Sequence, residues 1–437
     1  MKQIFLSMMM MLTMLPIAAA NKYDNPDTLV VSRDGTGEFR TIDEAIEVCR
    51  AFMDYTKVIY VKKGVYKEKL IIPTWLTNIT ICGEDRDQTI ITWDDHANIL
   101  MPIGGLDSEA AAKGKKMGTF RTYTLKVQGN YITLKNITIE NNAAKLGQAV
   151  SLHIEGDHIL VQNCRLLGNQ DTVYTGRAGS RIAFYDCYIE GTTDFIFGPS
   201  LAWFENCEIH SKADSYITAA SSPAGQKYGY VFNKCRLTAA DGVKKVYLGR
   251  PWRPFAKTLF MNCEMGSHIR PEGWHNWNNP KNEETAEYSE YKNHGPGAAT
   301  KGRVAWSHQL SKKEASKVTI AEVFGEECWY ACLPFFTDHK VQTSKFKVLN
   351  QSIELLLELF ELVPHRYQGV ENVRRLLDTR SVLTQILTCR SNLESLHLDE
   401  IVDELHLLNI LLGILAHLVG RNLRTEERKL LFPITES

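Results

Sequence analysis

Two aspartates, Asp171 and Asp194, each stand seven residues after a cysteine, Cys164 and Cys187, in consecutive copies of one short repeat. Equal phase in adjacent repeats predicts two carboxylates stacked one above the other. Such a pair resists double ionisation, so one member is driven toward its acid form while the other stays charged. Around them the chain reads G-N-Q-D-T-V-Y-T-G (168–176) and G-T-T-D-F-I-F-G (191–198), with L-G-R-P-W at 248–252 and G-Q-A-V-S-L at 147–152. A neighbouring arginine pins one carboxylate as a charged nucleophile. Neutral glutamine amides can meet a developing oxyanion without quenching that nucleophile. The set suits ester cleavage and calls for no metal and no other cofactor.

The elements that must hold these groups are written in the repeat itself: V-Q-N-C-R-L at 161–166, Y-D-C-Y-I at 185–189, F-E-N-C-E-I at 204–209, F-N-K-C-R-L at 232–237 and F-M-N-C-E-M at 260–265. An earlier copy, L-K-N-I-T-I at 134–139, lacks the cysteine. Successive cysteines are 23, 20, 28 and 28 residues apart. A period in the twenties with one strand pattern per copy implies coils that bury their apolar faces only against each other. Apolar and polar residues alternate within each copy, as strands require. No helical pattern intervenes. The expected fold is all-β, a right-handed parallel β-helix, with coils about 4.8 Å apart. The cysteines then form one inward ladder, either as small buried hydrophobes or as disulfides such as Cys164–Cys187 or Cys187–Cys207, which that spacing permits.

Each candidate also has a duller reading. An aspartate where a strand meets a turn commonly bonds its own backbone. Asp214 shows that phase alone is insufficient: it too lies seven residues after a ladder cysteine, Cys207, yet its surroundings, S-K-A-D-S-Y, carry no site motif. It reads as a loop residue. Asp94-Asp95-His96 looks like a ligand cluster, but neighbours on a strand face opposite ways, and it reads as a solvated loop opening the segment 94–118. D-G-T-G at 34–37 is a turn without the rest of a phosphate loop. Cys328 and Cys332 have no partner set for a metal.

The four site motifs together resemble the pectin methylesterases, the pectinesterases of bacteria and plants. The likeness extends to V-S-R-D-G-T-G-E-F-R-T-I-D-E-A-I at 31–46 and to E-Y-K-N-H-G-P-G at 290–297, covering about residues 27–330. It implies the same β-helix and the removal of methyl groups from galacturonate esters of pectin, with methylesterified homogalacturonan as the partner. It also implies roles. Asp194 is the nucleophile, and Asp171 is the general acid and then the base. Gln170 and Gln148 are oxyanion donors, and Arg250 keeps Asp194 ionised. Trp252 lines the sugar cleft, with Tyr174 and Phe197 as further walls. Where the family often carries an aromatic after the first glutamine motif, this chain has His153, read as a surface polar residue. Pectate lyases and polygalacturonases share fold and polymer but need a calcium-binding acidic cluster or a denser set of aspartates, and neither pattern is present. A non-catalytic polysaccharide-binding β-helix is disfavoured by the intact aspartates and arginine.

Residues 1–20 read as a secretory signal: Lys2, a Met/Leu-rich run from Ile4 to Ile17, then Ala18-Ala19-Ala20. The run is too short for a permanent membrane span, so a secreted or periplasmic monomer is expected. The formal net charge is −1 and no basic block occurs, which argues against nucleic acid as a partner. Residues 21–338 form the expected β-helix domain. From 339 to 437 the chain turns Leu- and Glu-dense, with runs such as Ile353–Leu362 and Leu405–Val419, and a short α-helical C-terminal segment of unknown role is expected.

Overall fold

The computed structural model describes residues 22–101 and 115–325. The expected signal, the C-terminal helices, Cys328 and Cys332 lie outside the described residues. The fold is a parallel β-helix. One coil illustrates the rest: a strand at Ile159–Gln162, a two-residue bend, a strand at Arg165–Leu167, a turn, and a strand at Val173–Thr175. Stacked coils generate three sheets of eleven, eight and seven strands among the described residues. The coil-to-coil ladders are parallel, as in Ile159↔Ile182, Arg165↔Tyr188 and Val173↔Ile196.

The repeat motif encodes the bend. The residue before each ladder cysteine has left-handed backbone: Asn163 (φ 48°), Asp186 (52°), Asn206 (55°), Lys234 (53°) and Asn262 (56°). Asparagine and aspartate tolerate this region better than other side-chain-bearing residues, which explains the recurrent Asn-Cys pair. Several bend side chains bond along the column, as when Asn163 Nδ2 donates to Asn136 Oδ1 at 2.9 Å and Asn262 Nδ2 to Asn233 Oδ1 at 2.8 Å.

The five ladder cysteines are buried and free. Each thiol donates to a carbonyl one coil back, for example Cys187 to Val161 O at 3.2 Å and Cys235 to Phe204 O at 3.4 Å. Beside them Phe184, Phe204, Phe232 and Phe260 form a ring stack with centroids 4.5, 4.3 and 4.3 Å apart. Near the first coils the helix Ile42–Glu47, closed by a Thr41/Glu44 capping box, buries Ile42, Ala45 and Ile46. The other end is clasped by a buried pair in the closing motif. Arg303 grips Glu290 at 2.7 Å and donates to the carbonyls of Arg270, Pro271 and Gly297.

Two outcomes test this core. Phe232→Ala should lower unfolding free energy by about 3–5 kcal/mol, read from urea denaturation with an unchanged m-value. A reductant should leave the melting temperature of the parent unaltered; a drop would reveal a disulfide in the ladder.

Candidate active site

Asp171 and Asp194 fall at the same point of neighbouring coils because those coils have equal length between the pairs Arg165↔Tyr188 and Val173↔Ile196. The Asp171 N–H donates to Thr193 O at 3.1 Å, and Asp194 N–H to Tyr216 O at 2.8 Å. Both residues have left-handed backbone, φ 66° and 50°, and both are buried. Non-glycine residues held there mark functional turns more often than ordinary ones. The preceding glycines permit it: a Cβ on Gly191 would lie 2.2 Å from Phe195 Cβ.

The next coil breaks the phase. It carries two more residues between Glu208 and Thr218 than its predecessor does between Tyr188 and Ile196. Asp214 therefore stops short of the column and its Oδ1 accepts from Lys244 N and Lys245 N at 2.7 and 2.8 Å. It is a loop residue.

Arg250 comes from the coil after that. Its N–H bonds Thr218 O at 2.9 Å, just past the strand Tyr247–Gly249. Gly249 is needed for this approach, since a Cβ would stand 2.0 Å from Thr218 Oγ1. The guanidinium reaches back to Asp194 in a two-point contact, Nε to Oδ1 at 2.9 Å and Nη2 to Oδ2 at 2.6 Å.

The two carboxyls consequently differ. Burial pushes Asp171 well above the usual carboxylate range, and the neighbouring Asp194 charge pushes it further, with Arg250 only partly opposing. Burial also raises Asp194, but the Arg250 hydrogen bonds and charge oppose it directly. Asp194 is the member that ionises first.

Gln148 and Gln170 come from neighbouring coils, both half-buried. Their main chains are fixed by Ala97 N donating to Gln148 O (2.8 Å) and Ala149 N to Gln170 O (3.0 Å). An aromatic floor runs alongside. Tyr174 stacks on Phe197 at 4.6 Å, and Phe197 meets the half-buried Trp252 edge-on at 5.9 Å. Phe197 itself is only 4% exposed, so it supports the floor more than it faces solvent.

A buried carboxyl thus lies beside a second, arginine-held one, and comparison with known proteins gives the family that the motifs resemble. The Pectinesterase family profile matches residues 28–327. The chain belongs to the pectinesterase family. That is a family of carboxylic ester hydrolases. Pectinesterase 31 of Arabidopsis thaliana is 37% identical over 287 residues, 65% of this chain and 88% of that protein. The probable pectinesterase/pectinesterase inhibitor 21 of the same plant is 33% identical over 72% of this chain, which spans only 47% of it. Among solved structures, pectin methylesterase from carrot superposes with a TM-score of 0.62 at 31% identity, over 70% of this chain and 95% of that one.

Against these pectinesterase expectations one residue is corrected. His153 is not on the surface: it is 1% exposed, in column with Tyr174, and its Nε2 meets Glu155 Oε1 at 2.9 Å. Burial lowers its pKa to about 4, with the Lys126 charge adding to the effect. It thus fills a place in the ring floor as a neutral imidazole, edge-on to Tyr174 at 4.7 Å. Period-two alternation could not reveal this, because it places His153 on the outward face and does not show that this part of the face is covered.

Sequence reasoning missed Tyr216 and Trp277, whose rings lie against Arg250, and Phe120, whose ring lies 4.9 Å from Tyr174. Tyr216 was findable only through the two-residue insertion; Trp277 and Phe120 sit in loops without a phase. Asp94 and Asp95 are occupied by Lys67 and Lys69 in a loop. Asp34 organises a turn, accepting from Thr36 N at 2.9 Å. Among the described residues no group of acids, histidines or cysteines is arranged to hold a metal, and no helix is long and apolar enough to cross a membrane.

A concavity of about 640 Å³ lies elsewhere, along the asparagine bends and the eight-stranded sheet. Its cations are already matched: Arg236 with Glu208, Lys234 with Glu205, Arg165 with Asp87. The shallow aromatic floor beside the aspartates, not this groove, combines perturbed acids with donors.

The Asp171 shift carries a stability consequence. Its folded-state pKa lies above the unfolded one, so its contribution is present at low pH and is lost as pH rises through the folded value. Asp171→Asn should melt higher than the parent above that value, and the gap should close in acid. Melting temperatures across pH that run parallel for the two proteins would contradict a buried, raised Asp171.

Proposed function

We propose that this chain hydrolyses methyl esters of galacturonate units in pectin, releasing methanol and a free carboxylate. The observation that carries the reading is the unequal pair: Asp194 gripped by Arg250 at 2.6 and 2.9 Å, beside an Asp171 that burial and its neighbour keep in the acid form. Asp194 attacks the ester carbonyl carbon, and the amides of Gln148 and Gln170 accept the negative charge by donating to the oxyanion. Collapse of that adduct breaks the bond to the methoxy oxygen, which leaves as methanol with the Asp171 proton. Asp171, now a carboxylate, takes a proton from water. The resulting hydroxide attacks the acyl carbon, releases the acid and restores both aspartates. Tyr174 and Trp252 support sugar rings beside the reacting ester. A pectin methylesterase solved with a hexasaccharide, 29% identical over 68% of this chain and 97% of that one (TM-score 0.58), supports an oligosaccharide as the ligand class.

Incubation with methylated pectin tests this. The parent should release methanol. Asp194→Ala and Asp171→Ala should each lose at least about 10³-fold in kcat, as unit-acting catalytic groups do. Gln170→Ala should lose about 10²–10³-fold, as expected for one oxyanion donor. Unsaturated or shortened chains without methanol would point instead to lyase or glycosidase chemistry, and binding without either product to a polysaccharide-binding module.

A further inference from the structure

The guanidinium of Arg250 lies over two aromatic rings. Tyr216 lies on one side, 3.9 Å from Cζ to the ring centroid, and Trp277 is also against it, at 3.7 Å. Its edge is committed to Asp194 through Nε and Nη2. We propose that Tyr216 and Trp277 are positioning residues that act through Arg250, fixing the plane of its guanidinium so that both donors meet the Asp194 carboxylate. This rests on the esterase reading for its consequence in catalysis, though the geometry it describes does not.

The reasoning is conformational. An arginine side chain has many rotamers, and a two-point contact needs one of them. Arg250 sits past the end of its strand, where only its N–H bond to Thr218 O ties the main chain. Ring faces attract the cation through their quadrupoles, and they exclude water from the faces of the guanidinium while leaving its edge available. The rings are themselves braced. Tyr216 stacks on Tyr247 at 5.3 Å, Tyr247 carries Arg270 at 4.6 Å, and Arg270 is paired with Glu272. Trp277 has left-handed backbone (φ 62°) and its N–H donates to His275 Nδ1 at 3.1 Å, while His275 packs against both Tyr216 and Tyr247. The result is a run of cation and ring contacts, Arg270–Tyr247–Tyr216–Arg250–Trp277, with two stacked tyrosines between the two arginines.

The groups facing Asp194 are Arg250, Asp171 and, from the interior, the buried phenol of Tyr288; Arg250 is faced in turn by His275. Loosening Arg250 removes the one group that favours the charged Asp194, whereas burial opposes it. The acid limb of kcat/KM should therefore move to higher pH when these contacts are broken.

The test uses Tyr216→Leu and Trp277→Leu beside Tyr216→Phe and Trp277→Phe in the full chain. The leucine variants should move the acid limb up by about one unit, a tenfold loss of kcat/KM below it, with activity recovering toward the parent at higher pH. The phenylalanine variants keep a ring face and should restore most of the profile. In parallel, ¹³Cγ-aspartate NMR, with Asp194→Asn to assign the resonance, reads the Asp194 titration without any substrate. A higher Asp194 pKa in the leucine variants and a near-parental one in the phenylalanine variants supports the positioning role. An unmoved Asp194 titration in folded leucine variants overturns it. A parent that releases no methanol defeats the esterase reading instead, and the NMR titration still decides the role of the two rings.

Discussion

Everything at the site depends on the register of the parallel ladder between coils. A side chain in one coil can face its counterpart in the next only if both coils spend the same number of residues between two ladder contacts. The coils bearing Asp171 and Asp194 meet that condition, and the coil bearing Asp214 does not. Register in turn is set by the bends, where one left-handed residue per coil turns the chain from one sheet to the next. Inward cysteines and stacked phenylalanines lock it, because a slip of one residue would send every apolar side chain to the outside.

This constraint explains how two identical side chains come to behave differently. Burial alone would drive both carboxyls toward the acid form. What separates them is position along the stack. The coil with Asp194 lies nearer the strand Tyr247–Gly249, just past which Arg250 stands, and the guanidinium reaches the Asp194 carboxylate. Asp171, one coil further back, receives no such contact and feels its ionised neighbour as well. The asymmetry is built from a repeated scaffold by varying a single column position.

The sequence made most of the scaffold legible, because its signals were local. Recurrent cysteines pointed to the inward ladder, and period-two alternation pointed to the strands. The aspartates, Gln148, Gln170 and Arg250 were found because each sits in a short motif of its own. What escaped notice depended on length counted around a coil or on loops outside it. Tyr216 enters the site only because two residues are inserted before it. Trp277 and Phe120 reach the site from loops whose path no periodicity describes. His153 was misread because alternation assigns a side chain to the outward face without showing that this part of the face is covered.

A coiled scaffold also bears on how such a site can vary. Residues that face inward are shared by neighbouring coils, so a change in one disturbs a stack such as Phe204–Phe232–Phe260, whose rings touch on both sides. Residues on the outward column answer to fewer neighbours. His153 occupies a ring position there with Glu155 as its partner and with Tyr174 against its edge. Burial holds the imidazole neutral, so the place of an aromatic is taken by a flat, uncharged ring that can also donate a hydrogen bond. The inequality of the two aspartates comes from burial, the Asp194 charge acting on Asp171 and the Arg250 contact with Asp194.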